Sequence, residues 1–326
     1  MRYIINILII LFYFSFLLSE NEAVTKVATC AANWLKIENG VRGISMGGAQ
    51  TASGRGLTGA HYNPASISFI DGSETFWSKS YYLADISHNT LAYGTRLSST
   101  DYFGLHLFYL DSGEMPVTTE AAPSGTGDSF EVIDVSLRLI YARQLTDRLR
   151  IGGALKYIRE QIFTARMQSF VFDLGSNFDT GIYGMILGMS VSNFGPDVQF
   201  HGEGLEVLVS DTTARDGKLA KITKKFPVPL IFRLGLQKDI LSNDNSYLTI
   251  SADGINPLDN TVYAGVGVEY SWRNTVFVRG GTRLFHDTAG LSLGGGLKWN
   301  IFMVDYAYVN YGILNETHQF GISLGF

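Results

Sequence analysis

From Glu74 to Phe326 the sequence alternates apolar residues with small or polar ones at a period of two. At the C-terminus Phe320, Ile322, Leu324 and Phe326 alternate with Gly321, Ser323 and Gly325. Val262, Ala264, Val266, Val268 and Tyr270 alternate with Tyr263, Gly265, Gly267 and Glu269, and Ile133 to Tyr141 alternates with Asp134, Ser136 and Arg138. Successive side chains of a strand point to opposite faces, so each such segment predicts a strand with one apolar and one more polar face. One rule applied throughout gives fourteen strands, beginning near Glu74, His88, Asp101, Val132, Arg148, Ser169, Ile182, Leu230, Ser246, Thr261, Asn274, Gly290, Asn300 and Thr317. Most run about ten residues, the length at which a tilted strand crosses a bilayer.

After Leu18 no apolar run is long enough to cross a membrane as a helix, which needs about 20 residues. A chain this apolar without such a helix can still span a membrane if its strands close into a barrel, because closure satisfies every backbone group. The N-terminus supports export. Met1-Arg2 is followed by the apolar stretch Ile4–Leu18, the pattern of a cleaved secretory signal peptide covering residues 1–19, with the cut falling as late as Ala23. The connections support closure. If the chain enters the first strand from inside, the even-numbered connections are short, as at Ser98-Ser99-Thr100, Leu145-Thr146-Asp147, Thr180-Gly181, Trp272-Arg273 and Trp299; the longest runs from Asp239 to Asn245. Both very long ones, Asp111 to Phe130 and Gly195 to Pro229, are odd-numbered. Short periplasmic turns and long external loops are the asymmetry of bacterial outer-membrane barrels. The expected fold is therefore all-β, an antiparallel up-and-down transmembrane barrel of about 14 strands over residues 74–326, in contact with outer-membrane lipid.

The charges fall on the more polar strand faces. Arg138, Lys156, Asp173, Arg233, Asp253, Glu269, Arg279, Arg283, Lys298 and Asp305 are expected to form a lattice inside the lumen. On the lipid face an Arg or Lys at the midplane would cost about 2–4 kcal/mol. Only 17% of residues are charged and the net charge is −5, which gives no basic face for nucleic acid. A single cysteine, Cys30, excludes a disulfide framework and a cysteine-based zinc site. Gly43-Ile44-Ser45-Met46-Gly47 matches a nucleophile elbow and Gly54 to Gly59 a dinucleotide fingerprint. Neither has the preceding strand its chemistry requires. No catalysis, cofactor or metal is expected.

A fourteen-strand barrel is too wide for its own side chains to fill. Residues 20–73 lack strand alternation, are glycine-rich from Gly40 to Gly59, and contain the turn Asn63-Pro64-Ala65. They are expected to fold as a plug, entering the lumen from the short-turn side. Glycine pairs such as Gly152-Gly153 and the run Gly294-Gly295-Gly296 could kink the wall. The long loop at 195–229 carries Lys218, Lys221, Lys224 and Lys225, a docking or lipid-headgroup surface.

The stretch Gly40 to Ala49, with Arg42, Met46, Gly47, Gly48 and Ala49, followed by Tyr62-Asn63-Pro64-Ala65, resembles the N-terminal signature of the PorV/PorQ family, which belongs with the FadL-like fourteen-stranded barrels. Val278-Arg279-Gly280-Gly281, Val304-Asp305-Tyr306 and the closing His318-Gln319-Phe320 resemble it too. The ending Phe320, Ile322, Leu324, Phe326 is similar to the signal read by the barrel-assembly machinery. The resemblance implies a non-catalytic protein of the bacterial outer membrane. Its partners would be a secretion channel of the type IX kind and exported cargo proteins, docked through external loops. The alternative implication, from FadL relatives, is transport of hydrophobic small molecules.

Overall fold

The computed structural model describes residues 26–209, 217–243 and 245–326. The expected signal peptide lies outside the described residues. Fourteen long strands make the wall: β1 (Ser73–Tyr81), β2 (Ser87–Arg96), β3 (Asp101–Asp111), β4 (Val132–Gln144), β5 (Leu149–Ile162), β6 (Ala165–Asp179), β7 (Met185–Phe194), β8 (Ile231–Asn243), β9 (Ser246–Pro257), β10 (Tyr263–Trp272), β11 (Val276–Leu284), β12 (Leu291–Trp299), β13 (Phe302–Asn310) and β14 (Glu316–Gly325). Each pairs antiparallel with its neighbours in chain order. The circle closes where β1 pairs with β14, Glu74 opposite Gly325 and Tyr81 opposite His318.

The two-residue period is what this closure needs. On β4, Asp134, Ser136, Arg138, Ile140 and Ala142 are buried while Leu137, Leu139 and Tyr141 are exposed on the outer surface. The same holds around the wall, so the outer surface is a band of Leu, Val, Ile, Phe and Tyr. The six even-numbered connections hold two to five residues each; the loops after β3 and β7 span residues 112–131 and 195–230.

Two strand starts and one strand end depart from expectation, each for a local reason. β6 begins at Ala165 rather than near Ser169, because its outward residues there are the polar Arg166 and Gln168. β7 begins at Met185, since Tyr183 and Gly184 are in a left-handed turn with φ 51° and 70°. β8 runs on to Asn243 and β9 starts at Ser246, so most of the expected Asp239-to-Asn245 turn is strand. A register shift between Asp239 and Leu241 breaks the alternation there.

Residues 31–70 are enclosed by this wall. Trp34 and Leu35 pack with Phe108, Leu110, Ile158, Val198 and Val228 at the long-loop end. The Trp34 ring stacks on Phe108 with centroids 5.8 Å apart. Lys36 pairs with Asp259 at 2.7 Å and Arg283 with Glu38 at 2.7 Å at the same end. The chain then makes a short helix, α1 (Val41–Ser45), and reaches the short-turn end at Leu57 and Ile70, which pack with Phe76 and Ala92. Its first described residues therefore lie at the long-loop end, opposite to the expected point of insertion. The physical reason is the apolar pair Trp34-Leu35, which buries against apolar inward residues found at that end.

Candidate functional site

Strand pairing is interrupted between β6 and β7. Phe172 of β6 pairs with Phe194 of β7, but Leu174 pairs with Val191, so Ser192 and Asn193 together oppose Asp173. Two residues against one is a β-bulge, and Asn193 takes the left-handed conformation, φ 65°, that Asn tolerates. Three buried polar contacts hold it. The Asn193 backbone N–H donates to Asp173 Oδ1 at 2.8 Å, its Nδ2 donates to the Pro229 carbonyl at 3.0 Å, and its Oδ1 accepts from Lys156 Nζ at 2.5 Å. Lys156 and Arg138 both pair with Asp173, at 3.1 and 3.2 Å. Three residues of the expected lattice thus anchor the bulge.

Above the bulge lies a pocket of about 300 Å³, lined by Phe194, Pro227, Val228, Leu230 and Leu258, with Lys26, Thr29, Cys30, Asn193 and Asp259 supplying polarity. It sits at the long-loop rim. Burial pushes the Cys30 thiol up, and the Asp259 carboxylate adds to that. Below the bulge, on the outer surface, a second apolar groove of about 480 Å³ runs over Leu174, Met189, Val191, Phe232, Leu234 and Gly254. Strand β7 contributes to both, through Asn193 and Phe194 above and Met189 and Val191 below.

The opposite, short-turn end is chemically different. A vestibule of about 510 Å³ is lined by Arg42, Arg55, Lys298, Glu74, Glu269 and Asp305 among others. Arg42 Nε and Nη2 clasp Glu269 at 2.9 and 2.8 Å; Arg279 bridges Glu269 and Asp305, both at 2.5 Å. The Phe69 ring lies between the guanidiniums of Arg55, at 4.0 Å, and Arg150, at 4.2 Å.

Between the two ends the enclosed segment meets the wall at strand glycines. A Cβ on Gly281 would strike the Met46 carbonyl carbon and Gly47 N, one on Gly294 would strike Ser45, and one on Gly152 would come within 2.6 Å of Pro64. Gly152-Gly153 and Gly294 to Gly296 thus do not kink the wall; pairing runs through them unbroken. Gly152 and Gly294 are small so that the enclosed segment can approach, and the pairing breaks instead at Asn193.

The other expected residues fall as follows. Met46 and Ala49 are fully buried, and Gly47, φ 65°, and Gly48, φ 82°, turn the chain after α1 where a Cβ would hit Thr282 or Glu38. Asn63 Oδ1 accepts from Ala65 N at 3.0 Å and its Nδ2 donates to Thr51 and Ser176 carbonyls, with Pro64 starting a 3-10 turn. Of the lattice, Arg233, Asp253, Arg279, Glu269 and Asp305 are buried with Arg138, Lys156 and Asp173; Arg283 is half-buried and Lys298 exposed at the vestibule rim. Phe320, Ile322 and Leu324 point outward, and Phe326 N donates to Ser73 O at 2.9 Å. Lys221, Lys224 and Lys225 are exposed on the long loop; Lys218 belongs to the short strand Gly217–Ala220. Ser45 Oγ donates to the Arg42 carbonyl at 2.8 Å inside α1, so the elbow-like motif is a helical turn. Sequence reasoning missed Glu38, Asp259 and Asn193, which come from irregular segments or a bulge where no period marks an inward face.

A closed fourteen-stranded antiparallel barrel with its N-terminal chain inside is an architecture of the FadL type. No family model matches the sequence, and no curated protein matches it. Among solved structures the chain is similar to the toluene transporter TodX of Pseudomonas putida, with a TM-score of 0.57, 15% identity, and coverage of 87% of this chain and 96% of that one. It is similar to the monoaromatic hydrocarbon channel CymD, with a TM-score of 0.58, 14% identity, and coverage of 88% and 97%. A Pseudomonas aeruginosa FadL homologue aligns with a TM-score of 0.51, 13% identity, and coverage of 87% and 97%. These likenesses define the fold.

Proposed function

We propose that this protein is an outer-membrane channel for apolar small molecules, which enter at the rim pocket and leave sideways through the wall at the Asn193 bulge. The observation that carries this reading is the juxtaposition of two apolar spaces on either side of the break in strand pairing at β6–β7. A straight passage to the short-turn end would take an apolar molecule past Arg42, Glu269, Arg279 and Asp305, whose charges are better left to one another and to water. The TodX and CymD structures, a toluene transporter and a monoaromatic hydrocarbon channel, make toluene the first compound to try. The secretion role that the PorV/PorQ resemblance implies has no observation in its favour.

The test fills the pocket. Leu230→Trp adds a bulky ring to a space of about 300 Å³. Cells carrying it should take up labelled toluene several-fold more slowly than cells carrying the unaltered protein, at equal amounts of folded barrel. Equal uptake would overturn the reading.

A further inference from the structure

The outward faces of β5 and β6 change character along their length. From the short-turn end, β6 presents Phe178, Ser176, Leu174, Phe172 and Phe170, and β5 presents Ile151, Gly153, Leu155 and Tyr157. Eight residues from Phe178 to Phe170, at about 3.3 Å each and tilted about 40°, cover about 20 Å of height, close to the full apolar band. Tyr157 and Phe170 are directly opposed, with ring centroids 5.4 Å apart, and mark the aromatic girdle. Immediately beyond them come Arg159 opposite Gln168 and Gln161 opposite Arg166.

Their neighbours fix the direction in which these two arginines point. Ile158 and Met167 are buried inward, so Arg159 and Arg166 face out. Among the described residues neither forms an ion pair with a carboxylate. Arg159 Nη2 donates to Gln161 Oε1, which holds the guanidinium over the girdle. The loop after β7 packs against this edge. His201 pairs with Arg166 at the edge of β6, and Gln199 and Phe200 hold Thr223 by side-chain–backbone hydrogen bonds, which brings exposed Lys221, Lys224 and Lys225 alongside. Acidic and basic residues balance over the loop, so the positive excess here is that of Arg159 and Arg166 themselves.

We propose that Arg159 and Arg166 form a binding site for the phosphate of an outer-leaflet lipid headgroup. The inference rests on the outer-membrane reading above, which places the long loops outside. Two unpaired guanidiniums on adjacent strands, just past the aromatic girdle, lie where lipid phosphates lie. Forked donors match phosphate oxygens better than point charges do.

The test is native mass spectrometry of the full chain folded in zwitterionic detergent, titrated with diphosphoryl lipid A or with the same lipid stripped of phosphate. The unaltered protein should retain the phosphorylated lipid roughly tenfold more tightly than R159Q/R166Q does, the scale expected for losing two charge-assisted contacts. The stripped lipid should bind both alike. Equal retention of phosphorylated lipid by the double variant, or equal retention of the two lipids by the unaltered protein, would overturn the site. R159K/R166K keeps the charge and loses the fork, so it should fall between the two; if R159Q/R166Q does not fold, lysine-variant retention equal to the unaltered protein's overturns the forked site. Leu230→Trp should leave lipid retention unchanged, so a failure of the transport reading and a failure of this one are distinguishable.

Discussion

At the scale of single residues, the lumen is held by ionic contacts shared among several buried groups. Glu269 is almost fully buried and neutralises both Arg42 and Arg279. Glu269→Ala strips two buried guanidiniums of their shared carboxylate, and removing one side of a buried pair costs about 3–5 kcal/mol. The expected result is a large drop in the urea midpoint of the detergent-folded protein; an unchanged midpoint would show that water already reaches these groups. His61 supplies a pH signature. Burial holds its imidazole well below the ordinary value, and the charges of Arg138, Arg233 and Lys156 push in the same direction. The unfolded chain therefore takes up a proton as pH falls through about 6.5 while the folded chain does not, so stability is lost below that pH at up to about 1.4 kcal/mol per unit. Above it the residue makes no pH-dependent contribution. His61→Asn should make the fall in thermal midpoint between pH 6.5 and 5 shallower; an identical slope would show that the ring is hydrated.

At the scale of elements, the wall and the enclosed segment are fitted to each other through glycine. Gly281→Val forces a side chain into the Met46–Gly47 backbone. It should loosen the segment and open it to protease cleavage from outside, while heat-resistant barrel migration on unheated gels persists; continued protection would mean the wall yields instead. The strands themselves were legible because burial on one side and lipid on the other enforce a two-residue period, and twelve of the fourteen starts fall within two residues of the expectation drawn from that period. The bulge at Asn193 was not legible. Its signal is the left-handed backbone of Asn193, which leaves no mark in a hydrophobic pattern. The glycines at 152 and 294 were visible but misread as kinks, because a glycine that yields to a neighbouring backbone looks the same in sequence as one that bends its own. The segment's direction of travel was equally hidden, since it depends on which inward residues are apolar at each end of the wall.

For the whole molecule, the account depends on a sheet whose two faces meet different media, with charge enclosed and grease outside. Side-chain alternation on β4 reports this most sharply, because Arg138 and Asp134 lie between Leu137, Leu139 and Val135. The most direct measurement is spin-label accessibility at each position from 133 to 141 in lipid vesicles. Labels at 133, 135, 137, 139 and 141 should collide freely with dissolved oxygen in the acyl region, while those at 134, 136, 138 and 140 should be shielded from it. Uniform accessibility along the strand, or oxygen contact strongest at position 138, would contradict the barrel's orientation and every functional claim built on it.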